Sequence, residues 1–357
     1  ATWNIGLDMS FLDSRLNFTG DYFIRDTEGM LGKSIVLPSV FGAKEPKENC
    51  TNLRTKGWEL SLGWNDSFAL MGKRFNYTVS ATLGDNLTEI TKYNNSEKKL
   101  TDYYEGMKLG EIWGYRVDGL FASDEEAAEY TSKINQDFVN ARILSDKVEP
   151  YYRAGDLKFR DLDGDNIISK GDDTAYDAGD REIIGNETPR YMYSFRLGAD
   201  WNGIDLGIFF QGVGKRDWYP NYLSTGFWGP YSRAFTSFIP ENFMDQCWSE
   251  ENPGGYFPRF RGYQTFKDSQ LGVNNDRYLQ DASYIRLKNL TVGYTLPVLK
   301  KVFTKLRVYF TGENLWYWSP MKKYTKYIDP EAAGGNGNTG MAYNYSRNFS
   351  VGVDITF

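Results

Sequence analysis

Long runs of two-residue alternation constrain this chain more than any other feature. In "YSRNFSVGVDITF", residues 345–357, Phe349, Val351, Val353, Ile355 and Phe357 fall on one side of an extended chain. Ser350, Gly352, Asp354 and Thr356 fall on the other, because strand side chains alternate with period two. Similar runs cover residues 3–11, 16–25, 58–65, 74–86, 193–201, 204–212, 284–296 and 306–314, which makes about nine strands. Asn202-Gly203 separates two of them with the residues of a type I′ hairpin. The alternation in 284–296 slips phase near Lys288-Asn289, the mark of a bulge.

The connections alternate as regularly as the side chains. Leu12 to Ser14, residues 66–73, Asn202-Gly203 and residues 297–305 are short; residues 32–56, 87–191, 215–282 and 315–346 are long. Short turns at one rim and long loops at the other describe an outer-membrane barrel; a soluble sandwich has no reason to segregate them. Runs of about 9–13 residues suit a tilted bilayer span better than a globular sheet. Aromatics close several apolar rows at both ends, as with Trp3 and Phe11, Trp58 and Trp64, and Tyr193 and Trp201, which is how interfacial girdles look. The expected fold is therefore all-β, an antiparallel transmembrane barrel with long extracellular loops; a soluble β-protein with an aromatic core is the competing reading. Phe75, Tyr77 and Val79 are expected to face lipid, and Arg74, Asn76 and Thr78 the lumen.

If the long loops are extracellular, the first and ninth strands both descend, which puts Phe357 in the periplasm. An odd strand count does not close an ordinary bacterial barrel. The chain is thus expected to be part of a barrel, starting inside or just after an extracellular loop. It begins "ATWNIGLDMS", with neither initiator Met nor signal peptide, as a mature form or a fragment does.

Composition removes several functions. A net charge of −6 argues against nucleic-acid binding. Zero histidines exclude Ser-His-Asp and Cys-His catalysis and His-ligated metals. No apolar run is long enough for a transmembrane helix. Acids suffice in number for a glycosidase pair, but no two are singled out, so no enzyme is expected. Cys50 and Cys247 both fall in long loops and could form a disulfide, since the periplasm oxidises thiols.

Residues 87–191, the longest loop, hold two local motifs. In "ASDEEAAEYTSKI", residues 122–134, Ser123 and Glu126 form a capping box, with Asp124 and Glu125 at the positive end of a short helix. "DLDGDNIISKGD", residues 161–172, has the spacing of a twelve-residue calcium loop. Asp161, Asp163, Asp165, the Ile167 carbonyl, Ser169 and Asp172 would be the ligands of Ca²⁺, and Ile168 would anchor the loop to a core. Asn166 replaces the usual Gly at position six but tolerates left-handed backbone; Asp172 is one methylene shorter than the usual Glu. The flanks are not helical. The competing reading is an Asp/Gly turn whose carboxylates accept backbone N–H bonds.

Beyond these patterns, a set of stretches resembles the C-terminal part of SusC/RagA-type TonB-dependent outer-membrane transporters of Bacteroidetes. They are "LNFTGDYFIRDTEGML" (16–31), "NLRTKGWELSLGW" (52–64), "LGEIWGYRVDGLFASDEEA" (109–127), "GDLKFRDLDGDN" (155–166), "DREIIGNETPRYMYSF" (180–195), "FFQGVG" (209–214), "DASYIRLKNLTVGYTLP" (281–297), "GENL" (312–315) and "FSVGVDITF" (349–357). They occur in the family's order over nearly the whole chain. The resemblance implies about nine strands of a roughly 22-stranded barrel, with the N-terminal plug, TonB box and earlier strands outside this chain. It implies active import of oligosaccharides with a SusD-like surface lipoprotein and TonB; oligopeptides are the alternative cargo, and a non-transporting carbohydrate-binding protein or adhesin the alternative class. The terminal aromatic strand resembles the signal read by the barrel-assembly machinery. Within residues 215–282, Trp218, Tyr219, Tyr222, Trp228, Tyr231 and Trp248 are the expected cargo-stacking residues, since aromatic faces stack on sugar rings; packing of the loop on itself, or contact with the lipoprotein lid, is the alternative.

Overall fold

The computed structural model describes the chain apart from residues 34–41, 43–45, 140–151, 233–238, 240, 262–265, 267–268, 298–303, 335–338 and 340–341. Parts of the expected loops 32–56, 87–191, 215–282 and 315–346, and most of the expected turn 297–305, lie outside the described residues. Strands are numbered β1–β15 in chain order. Nine form one antiparallel sheet: β1 (Thr2–Phe11), β2 (Leu16–Lys33), β3 (Lys47–Leu70), β4 (Lys73–Lys92), β9 (Arg190–Trp201), β10 (Ile204–Lys215), β13 (Tyr284–Leu296), β14 (Lys305–Trp318) and β15 (Asn348–Thr356), paired in that order. The other six make short two-stranded ribbons in the long connections: β5 (Glu111–Tyr115) with β8 (Arg181–Asn186), β6 (Val117–Leu120) with β7 (Leu157–Phe159), and β11 (Asp217–Trp218) with β12 (Gln280–Asp281).

Turn chemistry fixes the hairpins. Asn202 and Gly203 have φ of 49° and 86°, and Met71 and Gly72 of 50° and 75°, the left-handed pairs that a two-residue hairpin requires. Against β10, Asn289 pairs with Phe209 and Leu287 with Phe210, so Lys288 is the bulged residue.

Register, more than any single strand, separates polar from apolar. Thr19, Ser61, Thr82, Ser194, Gln211 and Arg286 are paired across six strands in one polar row. One residue along lies an apolar row of Met9, Phe18, Leu62, Ala81, Phe195, Phe210, Leu287 and Trp316. A slip of one residue in any strand would mix the two faces. Val79 sits between Trp64 and Leu197 on the apolar side, and Thr78 between Asn65 and Gly198 on the polar side, as the alternation implies. Aromatics border the apolar face at both ends. Trp3 meets Tyr22 edge-on at 6.1 Å, and beyond the opposite end Phe68 contacts Phe75 at 5.1 Å and Trp64 Nε1 donates to Tyr77 at 3.0 Å.

Three strands outrun the expected length, with 18, 24 and 20 residues in β2, β3 and β4. Their extensions are mostly polar, and the apolar residues they hold, such as Leu53, Leu87 and the buried Ile90, are too scattered for period-two alternation to announce them. They are held by ladder bonds and side-chain pairs such as Arg54 with Asp26 at 2.7 Å and Thr55 with Thr88 at 2.8 Å. The expected connection 32–56 is correspondingly shorter.

The buried core lies in the long connections, which fold into a cap. Ile112, Leu157 and Phe159 from the second connection, Trp218, Trp228, Phe257 and Tyr278 from the third, and Met321 and Ile328 from the fourth make one cluster. A sheet whose apolar face meets lipid needs no protein behind it; a loop region surrounded by water must bury its own apolar side chains. Helix α1 (Asp124–Thr131) starts as expected: the Glu126 amide donates to Ser123 at 3.1 Å, and the Glu126 carboxylate accepts from the Ala122 amide at 2.7 Å.

Candidate functional site

Most of the aromatic residues expected to stack on cargo are core residues of the cap. Trp218, Tyr219, Trp228, Tyr231 and Trp248 are at most 8% exposed. Trp228 packs its ring on Phe227, Phe257, Phe266 and Tyr278, and its indole N–H donates to the Pro220 and Asn221 carbonyls, both at 3.1 Å. Tyr231 donates to the Pro258 carbonyl at 2.6 Å. Direct stacking by these five is therefore corrected to packing. The physical reason is size: indole and phenol rings are the largest apolar payload available to a water-exposed loop cluster. Tyr222 differs, at 57% exposed.

Tyr222 borders a cleft of about 480 Å³ with Pro220, Asn221 and Asn274. Asn221 and Asn274 also line an adjoining cleft of about 410 Å³ with Trp113, Glu111 and Glu187. The two clefts give one surface with an exposed phenol, a half-buried indole and two carboxamides, a composition that can stack on rings and exchange hydrogen bonds with hydroxyls or amides.

The acidic loop curls as its spacing predicts, with a different closing residue. Asn166 takes φ of 66° and Gly164 of 82°. Ile168 is fully buried and bonds the Asn135 carbonyl at 2.7 Å, anchoring the loop. Asp161 accepts from the Gly164 and Asn166 amides at 2.7 and 2.9 Å, Asp165 accepts from Ile167 at 2.6 Å, and Ser169 accepts from Gly171 at 3.1 Å. Carboxylate oxygens of Asp161, Asp163 and Asp180 lie within 4.8 Å of one another. Neither Asp165 nor Asp172 belongs to that convergent set among the described residues. Buried Asp180, which accepts from the Leu162 and Ser169 amides at 2.7 and 2.8 Å, takes the place expected of Asp172. Burial, with Asp163 and Asp161 nearby, pushes its carboxyl above the usual range. Three converging carboxylates are the donor type of a hard cation, so the residues fit Ca²⁺ in chemistry. Sequence reasoning missed Asp180 because it lies eight positions past the twelve-residue frame and arrives through tertiary folding.

The expected disulfide does not form. Cys50 and Cys247 are separate thiols, Cys50 at the start of β3 and Cys247 buried in the cap, where its Sγ donates to the Phe243 carbonyl at 3.6 Å.

The cap is rooted in the polar face through Arg286 of β13. Its Nη2 lies 2.5 Å from Asp329 Oδ1 and its Nε 3.2 Å from Glu331. Lys288 reaches Glu331 at 2.8 Å. The Arg286 guanidinium also stacks over Tyr317 at 4.6 Å. Within the cap, Arg261 grips buried Asp156 with two bonds of 2.9 and 2.7 Å, joining the second connection to the third.

No family model matches the chain. It is 27% identical over 99% of its length to TonB-dependent receptor P3 of Formosa agariphila, covering 34% of that protein. It is 25% identical over its whole length to TonB-dependent receptor SusC of Bacteroides thetaiotaomicron, covering 32%. The chain thus spans about a third of the length of the curated relatives it matches. Among solved structures, the RagAB peptide transporter superposes with a TM-score of 0.68 at 22% identity, over 100% of this chain and 35% of that one. The RagAB importer in its closed-closed state gives 0.69 at 22% identity, with the same coverage. The nine-stranded sheet accordingly has the fold of a portion of an antiparallel β-barrel wall.

Proposed function

This chain belongs to the SusC/RagA-type TonB-dependent transporters, and from that premise we propose that the whole protein actively imports an oligosaccharide across the outer membrane. A SusD-like lipoprotein closes it from outside, and TonB drives it through segments outside this chain. The observation that carries the reading is the register: a mainly apolar face for lipid, a mainly polar face, interrupted by Phe23 and Phe209, for a water-filled interior, and long connections from one edge gathered over that interior. In this reading the short turns lie in the periplasm and the cap is extracellular. Exposed Tyr222, with Asn221 and Asn274 beside it, supports a sugar as cargo. Peptides, the cargo named for the RagAB neighbours, are the class against which the test discriminates. Deleting the gene should abolish growth on one glycan while sparing growth on its monosaccharides. Loss of growth on peptide mixtures instead would move the cargo to oligopeptides, and undiminished growth on every polymer would leave a non-transporting binding protein.

Within the cap, Asp161, Asp163 and Asp180 would hold Ca²⁺ as a brace. The ion would neutralise three clustered carboxylates and stiffen the loop, with no part in chemistry.

A further inference from the structure

We propose that the recess beneath the cap is a seat for a carboxylate, built around Arg216, so that the cargo is an acidic oligomer; this rests on the import reading above. The recess is about 320 Å³ and opens on the polar face. Thr82, Ser194 and Gln211 form its floor as cross-strand neighbours, and Tyr284, Glu331 and Arg216 its wall.

Arg216 is half-buried and held by neutral groups. Its Nε donates to the Glu187 carbonyl at 3.2 Å, and its Nη1 to the Pro330 and Glu331 carbonyls at 3.2 and 3.5 Å. Carbonyls orient a guanidinium without neutralising it. Among the described residues it joins no ion pair. The exposed Glu187 carboxylate acts on it at longer range, where water and salt screen the attraction. Glu331, the carboxylate lining the recess, is already paired with Lys288 and Arg286, and Asp329 with Arg286. Of the two charged side chains that line the recess, Glu331 is thus already held by two cations, while Arg216 is held by carbonyls alone at hydrogen-bond distance. Burial weakens Arg216's hold on its proton, and a bound anion would offset that cost.

Neutral donors complete the seat. The Gln211 carboxamide makes no hydrogen bond among the described residues, and the Thr82 and Ser194 hydroxyls, 2.7 Å apart, share one proton between them and keep the other. A planar guanidinium with an adjacent amide N–H suits a planar carboxylate. Sugar acids and peptides both carry that group, so the test must separate them.

The experiment titrates the full transporter, purified with its lipoprotein from outer membranes, by calorimetry. The probes are oligogalacturonate and its methyl ester, and an acidic peptide and its fully amidated form. One acidic probe should bind at least about tenfold tighter than its neutral partner, as expected for charge-assisted hydrogen bonds; which pair shows the gap identifies the source. Arg216→Gln should bring the ratio near unity. Gln211→Leu, which removes no contact that holds the cap, should narrow it with an unchanged unfolding temperature. Equal affinities within both pairs, binding by no acidic probe, or a ratio unmoved in both variants would overturn the seat. Growth loss on a neutral polymer with no acid preference would overturn the seat and leave the import reading standing.

Discussion

Arg286 and Asp329 hold opposite charges 2.5 Å apart, with the guanidinium only 1% and the carboxylate 2% exposed. Forty-three residues separate them in sequence. One belongs to a barrel strand and the other to the cap, so the pair fastens the cap to the wall. Removing one member of a buried pair strands the other, at about 3–5 kcal/mol. Arg286→Met should make the cap segment around Asp329 and Glu331 sensitive to protease while the barrel stays folded, read as heat-modifiable migration in gels. A cap as resistant as the parent's would mean that the pair is not its fastening.

Opposite faces of one strand should respond unequally to charge. Val79→Arg puts a cation against lipid, at about 2–4 kcal/mol near mid-bilayer, and should reduce insertion into liposomes. Thr78→Arg points inward and should insert nearly as the parent does. Equal effects would count against the orientation of the sheet.

Core and surface aromatics of the cap should separate cleanly. Trp228→Ala opens a cavity and should cost about 3–5 kcal/mol, seen as lower cap stability on chemical denaturation. Tyr222→Ala should change stability by less than about 0.5 kcal/mol and weaken cargo binding. Unaltered binding in that variant would remove Tyr222 from the cargo surface.

Thiol reactivity distinguishes the two cysteines. Burial raises the Cys247 thiol above its ordinary range, which leaves less reactive thiolate at neutral pH. Alkylation of the native protein without reductant should label Cys50 first, and denaturation should expose both. Two unreactive cysteines under denaturing conditions would restore the disulfide that the structure lacks.

Calcium should stabilise the cap through the converging set and not through the sequence-defined one. Asp180→Asn and Asp161→Asn should abolish a calcium-dependent rise in unfolding temperature, whereas Asp172→Asn should retain it. No calcium effect in the parent would show the loop to be only a turn.

The nine strands of the large sheet, the Asn202-Gly203 hairpin, the Lys288 bulge and the two faces were legible in the sequence; the six ribbon strands and the tight Met71-Gly72 turn, read as a connection over 66–73, were not. Each legible feature depends on residues within a few positions of one another: alternation at period two, left-handed turn residues, a slip of phase. The long ends of β2, β3 and β4 were not legible, since Leu87 and the buried Ile90 are three residues apart and break the period-two alternation. In the acidic loop, the curl and the buried Ile168 followed from spacing.

What only the tertiary structure decided is where non-local side chains meet. Asp180 joins Asp161 and Asp163, Arg286 finds Asp329 and Glu331, and Arg216 rests on the carbonyls of Glu187, Pro330 and Glu331. The aromatics of residues 215–282 have the same composition whether they greet a ligand or one another. Burial settles that choice, and burial depends on three connections far apart in sequence closing over the same water-exposed space, which no local pattern encodes.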